Sequence, residues 1–196
     1  TVLNACRKVG GGTDGRLFFS FFLGGMSGAQ PKAGNIAGVV SIAAEVNPAA
    51  AYKRHEQGWV DEVIEDVNEA VDTAVEWMER KEPHSIAYLG NIVTLWETLV
   101  ERGVKVDLGS DQTSLHNPWA GGYYPVGLSF KEANEMMAND PDAFKAQVQE
   151  SLRRHATAIN RLTENGMYFF DYGNAFLLEA SRAGADIMAE NGIDFR

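Results

Sequence analysis

Residues 16–29 read RLFFSFFLGGMSGA, and residues 39–46 read VVSIAAEV. The stretch 16–23 is short, aromatic and set between glycines, which is how a strand buried on both faces of a parallel sheet reads. Gly24, Gly25, Met26, Ser27 and Gly28 follow, and residues 29–39 suit a helix, with Pro31 tolerated in its first turn. The β-branched run 39–46 is a second buried strand that closes on an acid, Glu45. A strand, a glycine turn, a helix and another buried strand make a parallel crossover unit.

The rest of the chain repeats this alternation. Residues 1–9 have helical spacing at Val2, Leu3, Cys6 and Val9. After the second strand, Asn47 and Pro48 open a helix to residue 56, and residues 59–64 (WVDEVI) alternate like a half-buried strand. Residues 65–81 place Val67, Ala70, Val71, Ala74, Val75 and Met78 on one face with acids opposite, an amphipathic helix. A strand is expected at 85–90, a helix at 91–102 and a strand at 104–108. Residues 111–125 are polar, aromatic and without period. Helices are expected at 130–138, 141–165 and 174–191, with a last strand at 167–171. Strands alternating with long helices predict an α/β fold, a doubly wound, mostly parallel sheet with helices on both faces in three αβα layers. With no internal repeat or linker, residues 1–196 read as one domain.

Composition narrows the function. The chain has 196 residues, 45% hydrophobic and 22% charged, enough for one sizeable core. Seventeen Lys+Arg against 27 Asp+Glu leave a net charge of −10, which argues against nucleic-acid or anionic-membrane binding, since both need a basic face. The single cysteine, Cys6, makes neither an internal disulfide nor a Cys-based zinc site and points to a reducing compartment. The longest apolar stretch, residues 17–23, is too short to cross a bilayer. Thr1 stands where an initiator Met is usual, no basic segment precedes an apolar one, and the chain stops at Arg196. The expectation is a chain without a signal peptide, cut from something longer.

In doubly wound sheets ligands bind beyond the carboxyl ends of the strands. Four turns there are candidates. Residues 24–30 offer a glycine-rich approach and a helix N-terminus to a pyrophosphate, although GxGxxG is not met and a plain tight turn has the same composition. Glu45, 20 residues after Gly25, stands where a dinucleotide site places an acid for the adenosine ribose, and an acid there favours NAD over NADP. It also fits a solvated strand end. Asn91 follows a third strand and equally suits a helix N-cap. The run 110–125 is dense in donors and acceptors, suited either to a polar ligand or to a surface loop. Asp171, Tyr172, Gly173 and Asn174 form a further strand-to-helix turn. The four histidines lack metal-ligand spacing, and no nucleophile elbow occurs. Cys6, the four Trp and most Phe read as core. Glu76 with Arg80 and Glu150 with Arg154 read as exposed i,i+4 pairs.

Four blocks, LGGMSGAQPKAGNIAG (23–38), GSDQTSLHNP (109–118), GGYYPVG (121–127) and FDYGNA (170–175), resemble the middle of urocanate hydratase, or urocanase. They stand in family order and the similarity covers essentially the whole chain. QGWVDEV, LWETLVERG, VQESLRR and AINRL are similar to the eukaryotic-type branch. The resemblance implies a Rossmann-like NAD-binding domain inserted in a core domain that the chain's two ends form. It implies a cytoplasmic hydro-lyase of histidine degradation, a homodimer at full length. Such an enzyme adds water to urocanate to give imidazolonepropionate and uses tightly held NAD+ as an electrophile without net redox change.

Carried over by motif, the cofactor-binding positions are Gly25, Met26 and Ser27 at the phosphates and Glu45 at the ribose. Asn91, Ile92, Gln112, Thr113, Ser114, Leu115, His116, Tyr123, Tyr124 and Tyr172 line the rest. No catalytic or metal-binding residue is assigned: the family's important Cys and its urocanate-binding residues fall outside this segment, and Cys6 is not that Cys. Ser27 stands where many bacterial members have Gly, and Ala50 where many of them have Arg, which removes an adenosine-side contact. The resemblance therefore implies a segment inactive alone. The other classes kept open are a stand-alone NAD-binding sensor or scaffold and an NAD-dependent dehydrogenase domain.

Overall fold

The computed structural model describes residues 1–10, 12–21, 23, 27–111, 117–171 and 175–190. In chain order these form α1 (Val2–Lys8), β1 (Leu17–Phe21), α2 (Gln30–Ala37), β2 (Val40–Glu45), α3 (Pro48–Glu56), β3 (Glu62–Ile64) and α4 (Val67–Arg80). There follow β4 (His84–Leu89), α5 (Ile92–Glu101), β5 (Leu108–Asp111), α6 (Phe130–Asn139), α7 (Pro141–Glu164), β6 (Tyr168–Asp171) and α8 (Ala175–Arg182). Short 3-10 turns sit at Ser27–Ala29 and Pro118–Ala120.

The six strands form one sheet in the order β3-β4-β2-β1-β5-β6, and every neighbouring pair is parallel. From β1 the chain winds outward through β2, then returns to the other side of β1 as β5, so the order reverses between β1 and β5. Alternate residues feed the two faces. Leu17, Phe19, Val40, Ile42, Ile86 and Tyr88 pack with the helices α4, α5, α7 and α8. Phe18, Val39 and Leu108 pack with Val2, Ala5 and Cys6 of α1, and Ala43 and Ala87 pack with Ala51 of α3. This is the expected three-layer α/β arrangement, and the contiguous apolar strands follow from burial on both sides.

Helix starts are chemically marked. The side chains of Asn47, Asp66, Asn91 and Asp140 each accept a backbone N–H of the first turn of α3, α4, α5 and α7, respectively. Ser129 and Glu132 close a capping box on α6.

Three expectations shift. The strand expected at 104–108 forms instead as β5, Leu108–Asp111. Gly103 turns left-handed (φ 63°), Val104 N–H bonds Leu99 carbonyl, and residues 104–107 carry the chain from helix to sheet. The last helix stops at Arg182 rather than 191. Gly184 takes φ 82° there, and Ala185 N–H bonds Ala180 carbonyl, a helix-ending wrap. Glu76 does pair with Arg80, but Glu150 pairs with Arg153. Arg154 reaches across to α5 and bonds Glu97 with two parallel bonds of 2.8 and 2.6 Å.

Candidate functional site

All six strands run the same way, so their carboxyl ends share one edge of the sheet. Strand register places Phe21, Ala44, Tyr88, Asp111 and Asp171 in one row across it, with Glu45 and Leu89 one residue further. The turns after β1, β2, β4, β5 and β6 all leave from this edge. Those are the segments the sequence singled out. Gly25, Met26, Gln112, Thr113, Ser114, Leu115, His116 and Tyr172 lie outside the described residues; the strands that lead to them, β1, β5 and β6, end side by side.

Glu45 ends β2 almost wholly buried. Its Oε2 accepts the Leu23 N–H at 2.9 Å and its Oε1 accepts the Asn47 N–H at 2.9 Å. One carboxylate thereby ties the exit of β1 to the start of α3. Burial pushes its pKa up, while these bonds and the nearby Arg54 pull the other way. Each oxygen still has lone-pair capacity for a ligand hydroxyl beyond the bond it already accepts.

Asn91 is the N-cap of α5, its Oδ1 accepting Val93 N–H at 2.9 Å. Its Nδ2 donates to Tyr124 carbonyl at 2.9 Å, and both groups are buried. The cap reading and the site reading of Asn91 are therefore compatible: the side chain locks the 121–126 segment against the turn after β4. Ile92 is fully buried as the first residue of α5. Tyr123 turns its ring into the core, with its hydroxyl 3.2 Å from His155 Nδ1. Tyr124 stacks obliquely on Phe130 and bonds Asn134 Oδ1 at 3.3 Å. Burial raises its pKa, and the charge of Glu45 raises it further, so the two groups share one neighbourhood. Ser27 is buried at the first residue of its 3-10 turn, ahead of α2.

A cavity of about 410 Å³ opens between the ends of β2 and β4, lined by Val46, Pro48, Leu89, Asn91, Phe130 and Lys131, among others. Its size falls in the small-ligand range, and its composition is of the usual kind: apolar walls with a few polar groups. In a doubly wound sheet this is the side of the switch point toward which the adenosine end of a dinucleotide extends. Phe130 and Lys131 escaped the sequence reading because α6 lies 85 residues beyond Glu45 and carries no motif of its own. Arg54 escaped it too, although a cation on the face of α3 nearest Glu45 was a usable signal. Among the described residues no three His, Cys, Asp or Glu side chains gather to hold a metal ion. Nor is any described helix long and apolar enough to cross a membrane.

The family described as urocanase Rossmann-like domain matches residues 1–196. The chain belongs to the urocanase family. It is 59% identical over 191 residues to a probable urocanate hydratase of Dictyostelium discoideum, covering 96% of this chain and 28% of that protein. It is 53% identical over 196 residues to a probable urocanate hydratase of Caenorhabditis elegans, covering 99% and 29%. It is 54% identical over 194 residues to the urocanate hydratase of Homo sapiens, covering 95% and 29%. The chain thus spans under a third of the length of the urocanase relatives it matches.

Proposed function

We propose that residues 1–196 form the NAD+-binding domain of a urocanate hydratase, with the urocanate-binding residues outside this segment. The observation that carries the reading is the placement of Glu45. A buried acid ends β2, bonded to the exit of β1 and followed directly by Val46, which lines the cavity of small-ligand size between β2 and β4. In this reading the Glu45 carboxylate accepts the ribose hydroxyls, which hydrogen-bond strongly to an ionised acceptor. Val46, Pro48, Leu89 and Phe130 take the adenine. Ser27, at the start of a helical turn, presents backbone N–H to the pyrophosphate. Asn91 holds the turn after β4 in place; Tyr123 and Tyr124 offer backbone from a segment pinned to α5 and α7. Gly25, Met26, the run 112–116 and Tyr172, which follow β1, β5 and β6 in sequence, are assigned to the same cofactor.

When bound, NAD+ supplies a pyridinium electron sink that activates an imidazole ring toward water. The protein's own work is to hold that ring face to face with the substrate and away from bulk solvent. The same reading places the protein in cytoplasmic histidine degradation, as a homodimer. The test is native mass spectrometry and calorimetry of the intact protein, followed by an assay of urocanate loss. Co-purified or titratable NAD+ and hydration of urocanate are expected. A protein that binds no NAD+ would end this reading, and one that binds NAD+ but leaves urocanate untouched would favour a stand-alone binding module.

A further inference from the structure

Leu23 is the last described residue before the glycine turn, and its peptide groups are held on both sides. Its N–H donates to Glu45, and its carbonyl accepts from Arg54 Nε at 2.9 Å. Arg54 sits in the last turn of α3, with its guanidinium 4.9 Å from the centre of the Trp59 ring and its Nη1 donating to Gln57 Oε1 at 2.8 Å. Stacking and hydrogen bonding together fix a side chain that otherwise has many rotamers. The same guanidinium lies against Gly28: a Cβ on that residue would sit 2.8 Å from Arg54 Cζ and 2.9 Å from Nη2. Arg54 therefore touches the chain on both sides of residues 24–27, at Leu23 before them and at Gly28 after them.

We propose that Arg54 is a positioning residue for the phosphate-binding turn, clamping its two ends through the Leu23 carbonyl and the Gly28 backbone. The proposal rests on the NAD+ reading above. Backbone N–H groups bind a pyrophosphate well only when their directions are set before the ligand arrives, because ordering them on binding subtracts from affinity. A planar guanidinium can bond a carbonyl edge-on while its body rests on a Cα that lacks a side chain. A lysine ammonium, a point charge on a flexible stem, does the first and not the second. Gly28 has no left-handed φ to satisfy, so its missing Cβ is explained by the space Arg54 occupies.

The experiment compares wild type, Arg54→Ala, Arg54→Lys, Gly28→Ala and the double variant Arg54→Ala with Gly28→Ala in the intact protein, with calorimetric titration of NAD+ and ADP and NMR titration of adenosine. Losing the clamp is expected to weaken NAD+ and ADP by about tenfold to a hundredfold, the range of one hydrogen bond to a charged group. Adenosine, which lacks phosphate, is expected to stay within about twofold, below the effect of a neutral hydrogen bond. Arg54→Lys recovers part of the loss. Gly28→Ala, which displaces the guanidinium without removing it, reproduces the loss, and the double variant is no worse than Arg54→Ala alone. Unchanged NAD+ affinity in Arg54→Ala, equal losses for adenosine and ADP, or additive effects in the double variant would each overturn the clamp. Absence of NAD+ binding in wild type would instead remove the functional reading beneath it.

Discussion

Glu45 and His155 are the two buried titratable residues whose chemistry says most about this domain. Glu45 accepts two backbone N–H groups, so truncation leaves both unanswered in a buried place. Glu45→Ala is expected to cost about 2–3 kcal/mol of stability, and Glu45→Gln somewhat less, since an amide satisfies one N–H and opposes the other. Urea unfolding of the two variants checks this, and equal midpoints for both and wild type would contradict it. His155 is wholly buried between Trp96, Tyr123 and Phe176, and burial holds its pKa down to about 3, against 6.5 in the open. The unfolded chain therefore binds a proton that the folded one refuses between those two values. Stability rises with pH across that window and falls on acidification, by up to about 1.4 kcal/mol per pH unit for one group. In His155→Gln the urea midpoint is expected to fall less steeply between pH 6.5 and 5. Parallel profiles for variant and wild type would show that His155 does not govern this slope.

At the scale of elements, legibility followed how much each segment's own residues decide. The strands β1, β2 and β4 are mostly apolar because both faces are covered, and their alternation with capped helices was readable directly. The strand β5 was not, because its residues look like a turn. Gly109 lies where a Cβ would come within 2.9 Å of Met167 Sδ and 3.0 Å of Trp96 Cη2. The valines at 104 and 106 carry the β-propensity, but the glycine fits beneath the large neighbours, and packing overrides propensity. Gly109→Ala is expected to destabilise the domain by about 1–3 kcal/mol through overpacking, as chemical denaturation would reveal. A neutral result would mean that Met167 gives way. Asn91 shows the converse, a residue whose helix-cap role was legible while its second bond, to the carbonyl of Tyr124, was not. Asn91→Ser keeps a cap acceptor but is too short for that bond, so it should fall between wild type and Asn91→Ala, itself lower by about 2–4 kcal/mol. Equal losses for Ser and Ala would assign the whole effect to the Tyr124 link.

For the whole molecule, architecture carries most of the site. Once every strand is parallel, the turns after β1, β2, β4, β5 and β6 must leave from one edge, so the strand ends that lead into the motif segments lie side by side without any long-range signal in the sequence. What the sequence does not carry is the cavity between β2 and β4, whose walls come from the ends of those strands and from α6, segments brought together by the fold alone. Glu45 should make that cavity selective, since a 2′-phosphate brought against a buried carboxylate meets like charge where desolvation makes it costly. Ligand binding to the folded state alone stabilises it by about 2.7 kcal/mol at a hundredfold excess over Kd. For a domain of this size, that corresponds to a rise in Tm of about 5–10 °C. NAD+ is expected to produce such a rise in the intact protein, NADP+ at the same concentration far less, and Glu45→Ala to narrow the gap between them. Equal shifts with both dinucleotides in wild type would show that Glu45 does not face the ribose, whatever else the edge of the sheet binds.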